Sequence, residues 1–269
     1  MAIKYLTVEE HQKVLEQLVG CARQLEGCRY HQAGPEYTSL MVCFLLHNMA
    51  AAESLLRLRN SFTNEWFPTT IGYLIARSMF ETEVTAHYIA RSPAERSRQY
   101  VEFGRVLRKR EMDACHKHRK NDDPQWREAM DLVWRNVWAG KELQINIDWD
   151  EVRARFEKPG KRGKSVPFRN WSGKSIREMA MEVDHEASYD VFYAELSSFA
   201  HTDVRLADRY LRIGQDGLSW SQRASEFDVG NVFRHSVSFM TCFMNLFAEC
   251  FSVWSEEDVQ RCWIVEREL

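Results

Sequence analysis

The stretch "IGYLIARSMFETEVTAHYIA", residues 71–90, decides the fold class of this chain. It predicts a helix with apolar residues on almost every side, and a helix that is apolar all round is a buried one. Two other segments have a similar character: "LMVCFLLHNMAAAESLLRL" (40–58) and "VFRHSVSFMTCFMNLFAECFSVW" (232–254). Together with an opening helix, these segments predict the core of an all-α helical bundle.

Capping residues and prolines mark the helix starts. Thr7 and Glu10 form a capping box, and Pro68, Pro93 and Pro124 suit the first helical turn. Only 6 prolines and 12 glycines occur in 269 residues, which favours long helices. We expect about eight to ten helices, and one small β-hairpin near 211–220, in "RIGQDGLSW". The expected helices are 7–30, 37–61, 68–91, 93–120, 124–139, 148–157, 172–186, 188–212, 227–254 and 255–266.

Composition places the chain among soluble globular proteins, with 45% hydrophobic and 28% charged residues. The net charge of −3 excludes a global attraction to nucleic acid or to an anionic membrane. The opening residues lack the apolar run of a signal peptide, and no segment approaches the roughly 18 apolar residues of a membrane span. The 7 cysteines contain no C-x-x-C pair, so we expect reduced core thiols in a cytoplasmic protein.

We expect one all-α domain over residues 1–269 with a long basic loop at 158–174. The loop, "KPGKRGKSVPFRNWSGK", holds six basic residues and no acidic ones. Its "GKRGKS" is not a phosphate-binding loop, because Lys158 stands where that motif needs glycine. A di-iron site is not expected either, since it needs two Glu-x-x-His pairs and the sequence has one, Glu182 to His185. We therefore expect neither a metal nor a cofactor.

Two pairs of opposite charges interrupt the apolar helices. Arg77 and Glu81 are four residues apart, and so are Glu53 and Arg57. Charges in a packed core are costly unless they are paired. Each pair is therefore either a self-neutralising ion pair that fixes helix register, or part of a cavity lining.

A later stretch, "YDVFYAELSSFAHTDVR" (189–205), brings polar residues to the boundary of its buried face. Tyr193, Ser197 and His201 are spaced at four residues, and Asp203 falls within the apolar arc. His201 is either a boundary histidine that binds a neighbour or a catalytic one. A serine hydrolase is not expected, because the sequence has no Gly-x-Ser-x-Gly elbow.

Three segments, "ARSMFETEVTAHYI" (76–89), "WSGKSIREMA" (171–180) and "YDVFYAELSSFAH" (189–201), resemble an uncharacterised bacterial family. That family has an Arg-x-x-x-Glu helix and a later Tyr-x-x-x-Ser-x-x-x-His helix, and it is distantly similar to the HEPN class of all-helical domains. The resemblance implies that the signature positions are Arg77, Glu81, Tyr193, Ser197 and His201.

Many HEPN domains are toxins or defence effectors that cleave RNA without a metal, and the resemblance implies the same activity here. Histidine would move the proton and arginine would stabilise charge on the phosphate. Arg77 and His201 could supply this pair across helices. A nearer match of the class motif is Arg110 with His116 in the basic helix "RVLRKREMDACHKHRK" (105–120), which is otherwise a solvated charged face.

On this hypothesis the basic loop contacts RNA, with Trp171 available to stack on bases. Its candidate nucleic-acid-binding residues are Lys161, Arg162, Lys164, Arg169 and Trp171. The secondary candidates at the catalytic site are Arg110, His116, Asp203 and Glu53. The second hypothesis is a non-catalytic helical module that binds a partner protein or a small ligand. HEPN-like proteins often form dimers, so the resemblance also implies a homodimer, and no membrane contact is expected.

Overall fold

The computed structural model describes residues 6–25, 34–59, 66–120, 122–138, 155–159, 165–168, 170–200, 211–214, 217–220 and 226–253. The chain is all-α, as the sequence predicts. The helices of the described residues are α1 (Val8–Arg23), α2 (Pro35–Leu58), α3 (Trp66–Ala90), α4 (Pro93–His118), α5 (Pro124–Val133), α6 (Ile176–Glu182), α7 (Glu186–Ser188), α8 (Ala194–Ala200) and α9 (Glu226–Phe251). One π-helical turn, Trp134–Trp138, follows α5, and another, Tyr189–Tyr193, joins α7 to α8.

The predicted cap of the first helix is present. The backbone N–H of Thr7 donates to Glu10 Oε2 at 2.7 Å, and the N–H of Glu10 donates to Thr7 Oγ1 at 3.2 Å. Proline opens α2, α4 and α5, at Pro35, Pro93 and Pro124. Proline lacks an N–H group, and this loss costs nothing in a first turn whose N–H groups have no helical partner.

Within the described residues, two antiparallel hairpins accompany the helices. The strands β3 (Leu211–Gly214) and β4 (Gly217–Trp220) confirm the predicted hairpin near 211–220. The expected helix 188–212 is therefore too long, because Leu211 and Arg212 lie in β3. The strands β1 (Glu157–Pro159) and β2 (Ser165–Pro167) form a second hairpin at the start of the basic segment. The sequence analysis missed it, because proline is excluded from central strands but tolerated in a two-stranded ribbon, which has only edges.

The chain divides into two compact units: unit 1 spans Met1–Ser92 and Ile176–Leu269, and unit 2 spans Pro93–Ser175. The single domain over 1–269 stays a prediction. In unit 1, α9 packs against α1 and α3, and α2 packs against α1, α3 and α9. The largest side chains that are fully buried there include Tyr73, Phe80, Phe233, Phe243 and Phe247. The buried character predicted for α3 and α9 is confirmed.

The helix α2 differs from the sequence expectation. Among the described residues it is the one helix that is long and apolar enough to cross a membrane, with a mean hydropathy of 1.4 in its most apolar window. A core helix has the same composition as a spanning one. In unit 1, one face of α2 is buried through Met41, Phe44, Leu45 and Leu55, whereas Leu46 is exposed.

Unit 2 is built around α4. The Phe103 ring lies 5.3 Å from that of Phe156, and Met112 and Cys115 pack against α5 and the π turn that follows it. Burial of the cysteines departs from expectation: the five described cysteines form no disulfide with one another, but Cys115 alone among them is buried. The apolar residues next to the other four cysteines in sequence lie on other faces of the same helices.

Candidate functional site

The candidate site lies on α3, in unit 1, where Arg77 and Glu81 occupy successive turns of one helix face. The Arg77 guanidinium donates from Nε to Glu81 Oε1 at 2.8 Å. Residues four apart on a helix are neighbours, so this ion pair follows directly from the sequence spacing. The predicted pairing of Arg77 with Glu81 is confirmed.

Tyr193 comes from the π turn that joins α7 to α8 and completes a three-membered group. Its hydroxyl accepts a hydrogen bond from Arg77 Nη2 at 3.0 Å and donates one to Glu81 Oε1 at 2.9 Å. The guanidinium carbon also lies 5.2 Å from the centre of the Tyr193 ring, within cation–π range. Arg77, Glu81 and Tyr193 are referred to below as the Arg77 network.

A wall of aromatic rings holds Tyr193 in place. The Phe80 ring is fully buried on α3, and its centre lies 5.5 Å from that of Tyr193 and 5.1 Å from that of Phe239 on α9. Tyr189 stacks on Tyr193 with ring centres 4.7 Å apart. Such contacts fix the ring, so the hydroxyl has little freedom to leave its two partners.

The electrostatics of the Arg77 network keep its groups in defined protonation states. Burial, together with the nearby Glu81 carboxylate, raises the pKa of Tyr193 to about 12. Burial acts to lower the pKa of Arg77, but the contacts with Glu81 and Tyr193 outweigh it and raise the pKa overall. At neutral pH the site therefore presents a neutral phenol and a charged guanidinium.

The Arg77 network reaches the protein surface. The side chain of Arg77 is 20% exposed and that of Glu81 is 36% exposed, whereas Tyr193 is buried. Charged groups at such a boundary keep part of their hydration, so the pair avoids the full cost of a buried ion pair. A ligand could contact it from solvent.

The remaining primary candidates follow Tyr193 along the chain. Ser197 lies half-buried on α8, one turn after Tyr193, and no hydrogen bond of the described residues joins it to the Arg77 network. His201 and Asp203 lie outside the described residues. Their predicted roles stay predictions.

The sequence predicts Glu53 in a packed core, and this prediction is wrong. Glu53 Oε1 accepts a hydrogen bond at 2.7 Å from Arg23 of α1, and its Oε2 is 3.8 Å from Arg57. The Arg57 side chain is 81% exposed, so the pair sits at the edge of α2 in contact with water. The apolar neighbours of Glu53 in sequence point to the other side of the helix.

The candidates of the basic helix belong to unit 2. Arg110 and His116 are both exposed on α4, and they contact different rings: Arg110 lies over Phe103, and His116 lies beside Trp134. Residues six apart on an α-helix point in different directions, so a shared phosphate is not favoured by this spacing. The surface-facing charges of α4 fit a solvated helix face.

Among the predicted nucleic-acid-binding residues, the structure describes Trp171. It is only 7% exposed, and its ring packs edge-on against Tyr100 at 5.2 Å. The expected availability of Trp171 for base stacking is therefore wrong, because its faces are covered. Lys161, Arg162, Lys164 and Arg169 lie outside the described residues.

A polar group on the inner side of α3 was not predicted from the sequence. The Tyr73 hydroxyl donates to Glu195 Oε1 at 3.2 Å, and Glu195 Oε2 lies 3.9 Å from Nε2 of the buried His235 on α9. Burial, aided by the charge of Arg234, lowers the pKa of His235 to about 4. The feature of the sequence that could have indicated this group is His235, a histidine inside the apolar segment 232–254.

A second polar group, formed by Glu83, His87 and His185 and referred to below as the Glu83 cluster, was not predicted either. Glu83 Oε1 lies 2.7 Å from His185 Nδ1 and 3.4 Å from His87 Nδ1. The four-residue spacing of Glu83 and His87 on a buried helix was the signal. His185 was noted only as part of an incomplete di-iron motif.

The fold and the site define an all-α protein with an Arg–Glu–Tyr network between helices. The chain matches a family of unknown function, DUF5677, over residues 63–218, which is more than half of its length. It belongs to this family, and the matched region contains the Arg77 network and the Glu83 cluster. Neither the curated proteins nor the solved structures include a significant match to the chain.

Proposed function

We propose that this chain is a HEPN-like effector that cleaves RNA phosphodiesters without a metal, with Arg77 as the phosphate-binding cation. The observation that supports this function is the Arg77 network. Glu81 and Tyr193 fix the guanidinium by hydrogen bonds of 2.8 and 3.0 Å at a partly exposed position. A preoriented cation stabilises developing charge on a phosphate without reorganising during the reaction.

The chemistry requires a proton acceptor and a proton donor besides the cation. The 2′-hydroxyl loses its proton to the acceptor as its oxygen bonds to phosphorus. The bond from phosphorus to the 5′-oxygen breaks, and that oxygen takes a proton from the donor, which leaves a 2′,3′-cyclic phosphate and a 5′-hydroxyl. His201 is the sequence-predicted proton-transfer group. Glu81, the most exposed member of the Arg77 network, is the acceptor among the described residues.

A cleavage assay tests this function. The purified chain, in EDTA, is incubated with a fluorescently labelled single-stranded RNA, and the ends of the products are identified. We expect 2′,3′-cyclic phosphate ends, and we expect Arg77→Ala to lower the rate by about 100- to 1,000-fold, the usual cost of removing one stabilising donor. Arg57→Ala, at an exposed arginine of the same unit, is the matched control and should cleave at the wild-type rate.

Intact RNA after incubation with the wild type would contradict the proposal, as would equal rates for the wild type and Arg77→Ala. Circular dichroism of each variant separates loss of cleavage from loss of folding. The cytoplasmic location, the homodimer and the RNA contact of the basic loop at 158–174 stay predictions that accompany this function.

The second candidate is a non-catalytic helical module that binds a partner protein or a small ligand. One observation favours it: the members of the Arg77 network bind each other, as expected of an ion pair that fixes helix register. In that case the wild type leaves RNA intact, and Arg77→Ala changes only the melting temperature.

A further inference from the structure

We propose that Glu83, His87 and His185 form a binding site for one divalent transition-metal ion of the zinc type. Each of the three residues offers one donor atom, and these atoms lie within 4.8 Å of one another. Two donors bound to one zinc ion at about 2.0–2.2 Å from it lie roughly 3 Å apart, so the cluster needs only small adjustments to enclose an ion. No metal site was predicted here from the sequence.

The Glu83 carboxylate is the strongest observation for a cation. Glu83 is 1% exposed, and its Oε1 forms no hydrogen bond with any described residue. His185 Nδ1 is 2.7 Å from this oxygen, an ion-pair distance that neutralises the carboxylate only while the imidazole is protonated. A buried carboxylate without a hydrogen bond is costly, and a metal ion that accepts its lone pair removes that cost.

His87 is oriented as metal-binding histidines usually are. Its Nδ1 lies 3.0 Å from the backbone carbonyl oxygen of Glu83, one turn earlier on α3. When that nitrogen donates to the carbonyl, Nε2 carries the lone pair and is the ring nitrogen that can bind a metal ion. A backbone carbonyl on the second ring nitrogen is a common way to fix the tautomer and direction of a metal ligand.

The backbone before His185 is held in a conformation that brings the ring to α3. Asp184 has a φ of +64°, in the left-handed region, just after the end of α6. The N–H of His185 donates back to the Ala180 carbonyl at 2.8 Å, which closes the helix end in the Schellman pattern. Arg91 of unit 1 binds the Asp184 carboxylate at 2.6 Å. The left-handed conformation costs an aspartate roughly 1–2 kcal/mol of conformational free energy relative to glycine. The hydrogen bonds of His185 and Arg91 offset this cost and hold the turn.

The donor set selects the class of ion. Two imidazoles and one carboxylate form the three-ligand set of zinc sites with an open coordination position. Imidazole favours zinc, cobalt, nickel, copper and iron, whereas calcium and magnesium prefer oxygen ligands. Glu249 of α9 is close enough to interact electrostatically with His87, which adds negative charge around a bound cation.

Titration of the metal-free chain with Zn²⁺ and Co²⁺ tests the site. After dialysis against a chelator and its removal, calorimetry should show one Zn²⁺ ion per chain. Bound Co²⁺ should give visible absorption bands of a nitrogen- and oxygen-ligated ion. Glu83→Gln and His185→Gln should each weaken Zn²⁺ binding at least about tenfold, since even groups behind the ligands contribute this much.

His47→Gln is the matched control. His47 is exposed on α2 and contacts Ser78 at 2.8 Å, so this variant should bind Zn²⁺ like the wild type. Circular dichroism in chelator verifies folding, and His185→Gln, at a half-buried position, carries the test if Glu83→Gln does not fold.

Two results would overturn the proposal. One is a folded wild-type chain that binds neither ion, in which case a proton shared by Glu83 and His185 balances the charge. The other is unchanged binding in both variants, which would place the ion elsewhere on the chain. The RNA assay runs in EDTA, so its outcome is independent of this test.

Discussion

The Arg77 network and the Glu83 cluster lie on the same helix, and each contains a glutamate with a partner four residues away. Glu81 accepts hydrogen bonds from a guanidinium and from a phenol, and its side chain reaches solvent. Glu83 is buried, and its Oε1 has histidine nitrogens nearby but no hydrogen bond within the described part of the chain. An arginine neutralises a carboxylate at any physiological pH, whereas a histidine does so only when it is protonated. The charge of Glu81 is therefore neutralised within the Arg77 network, whereas the charge of Glu83 is neutralised only when the Glu83 cluster binds a proton or a metal ion.

The largest expected effect comes from removing the Phe80 ring, which packs against Tyr193 of the Arg77 network. Phe80→Ala deletes a fully buried ring that contacts Tyr193 and Phe239. We expect the free energy of unfolding to fall by about 3–5 kcal/mol, because the cavity forfeits packing as well as buried area. Urea denaturation in chelator measures this change.

Leu46→Ala is the control for this variant, because Leu46 is exposed on α2 and its truncation should change stability by no more than about 0.5 kcal/mol. If the two groups are independent, folded Phe80→Ala loses RNA cleavage but keeps Zn²⁺ binding. Equal destabilisation by the two substitutions would show that Phe80 does not support the network.

The next effect compares two histidines that differ in their distance from a carboxylate. The contact with Glu83, at 2.7 Å, raises the pKa of His185, whereas the pKa of His235 is lowered to about 4 by burial, with Glu195 at 3.9 Å. The unfolded chain binds a proton at residue 235 near pH 6.5, so between pH 6.5 and 4 it holds more protons than the folded chain. Stability is therefore lost as the pH falls through this window.

The expected loss from His235 is about 3 kcal/mol between pH 7 and pH 4, from roughly 1.4 kcal/mol per unit of pKa. His235→Phe removes the titrating group, so its stability should fall by that much less than the wild type over the same range. Urea denaturation at a series of pH values measures both slopes. Parallel slopes would mean that the pKa of His235 is the same in the folded and the unfolded chain.

The smallest effect tests the hydroxyl that links Arg77 to Glu81. Tyr193→Phe removes two hydrogen bonds and keeps the ring, and we expect it to lower the free energy of unfolding by about 1 kcal/mol. Tyr189→Phe is the matched control, because Tyr189 packs on Tyr193 through its ring, and its effect should stay within about 0.5 kcal/mol. Thermal unfolding of both variants decides between a hydrogen-bonded network and ring packing alone.

The sequence predicts those features that depend on local spacing. The apolar faces of 71–90 and 232–254 predict buried helices, and the four-residue interval from Arg77 to Glu81 predicts their ion pair. Tyr193 was expected at a packing boundary, and it contacts that pair. Each of these follows from helix periodicity, which neighbouring residues set by themselves.

The features that the sequence does not predict depend on contacts between distant segments or on unusual backbone. His185 meets Glu83 only because α6 ends at a left-handed aspartate, where glycine is the usual signal. The strands β1 and β2 were not predicted because they contain Pro159 and Pro167, and proline ordinarily argues against a strand. Trp171 is covered by Tyr100, which is far away in sequence. The composition of the basic segment alone therefore suggested an exposed tryptophan ring, whereas the ring is buried in the fold.

The π turn at Tyr189–Tyr193 makes the length of this segment as important as its composition. A π turn holds one residue more than an α turn, and Val191 within it is 63% exposed. Deleting one such residue would sacrifice little packing, and an α turn of the remaining residues would leave the helix beyond it in the same orientation. If the full-length segment took α geometry instead, the helix beyond it would rotate by about 100° relative to the part before it. A family member with an α turn here therefore needs one residue fewer to present the same face of this helix to Arg77.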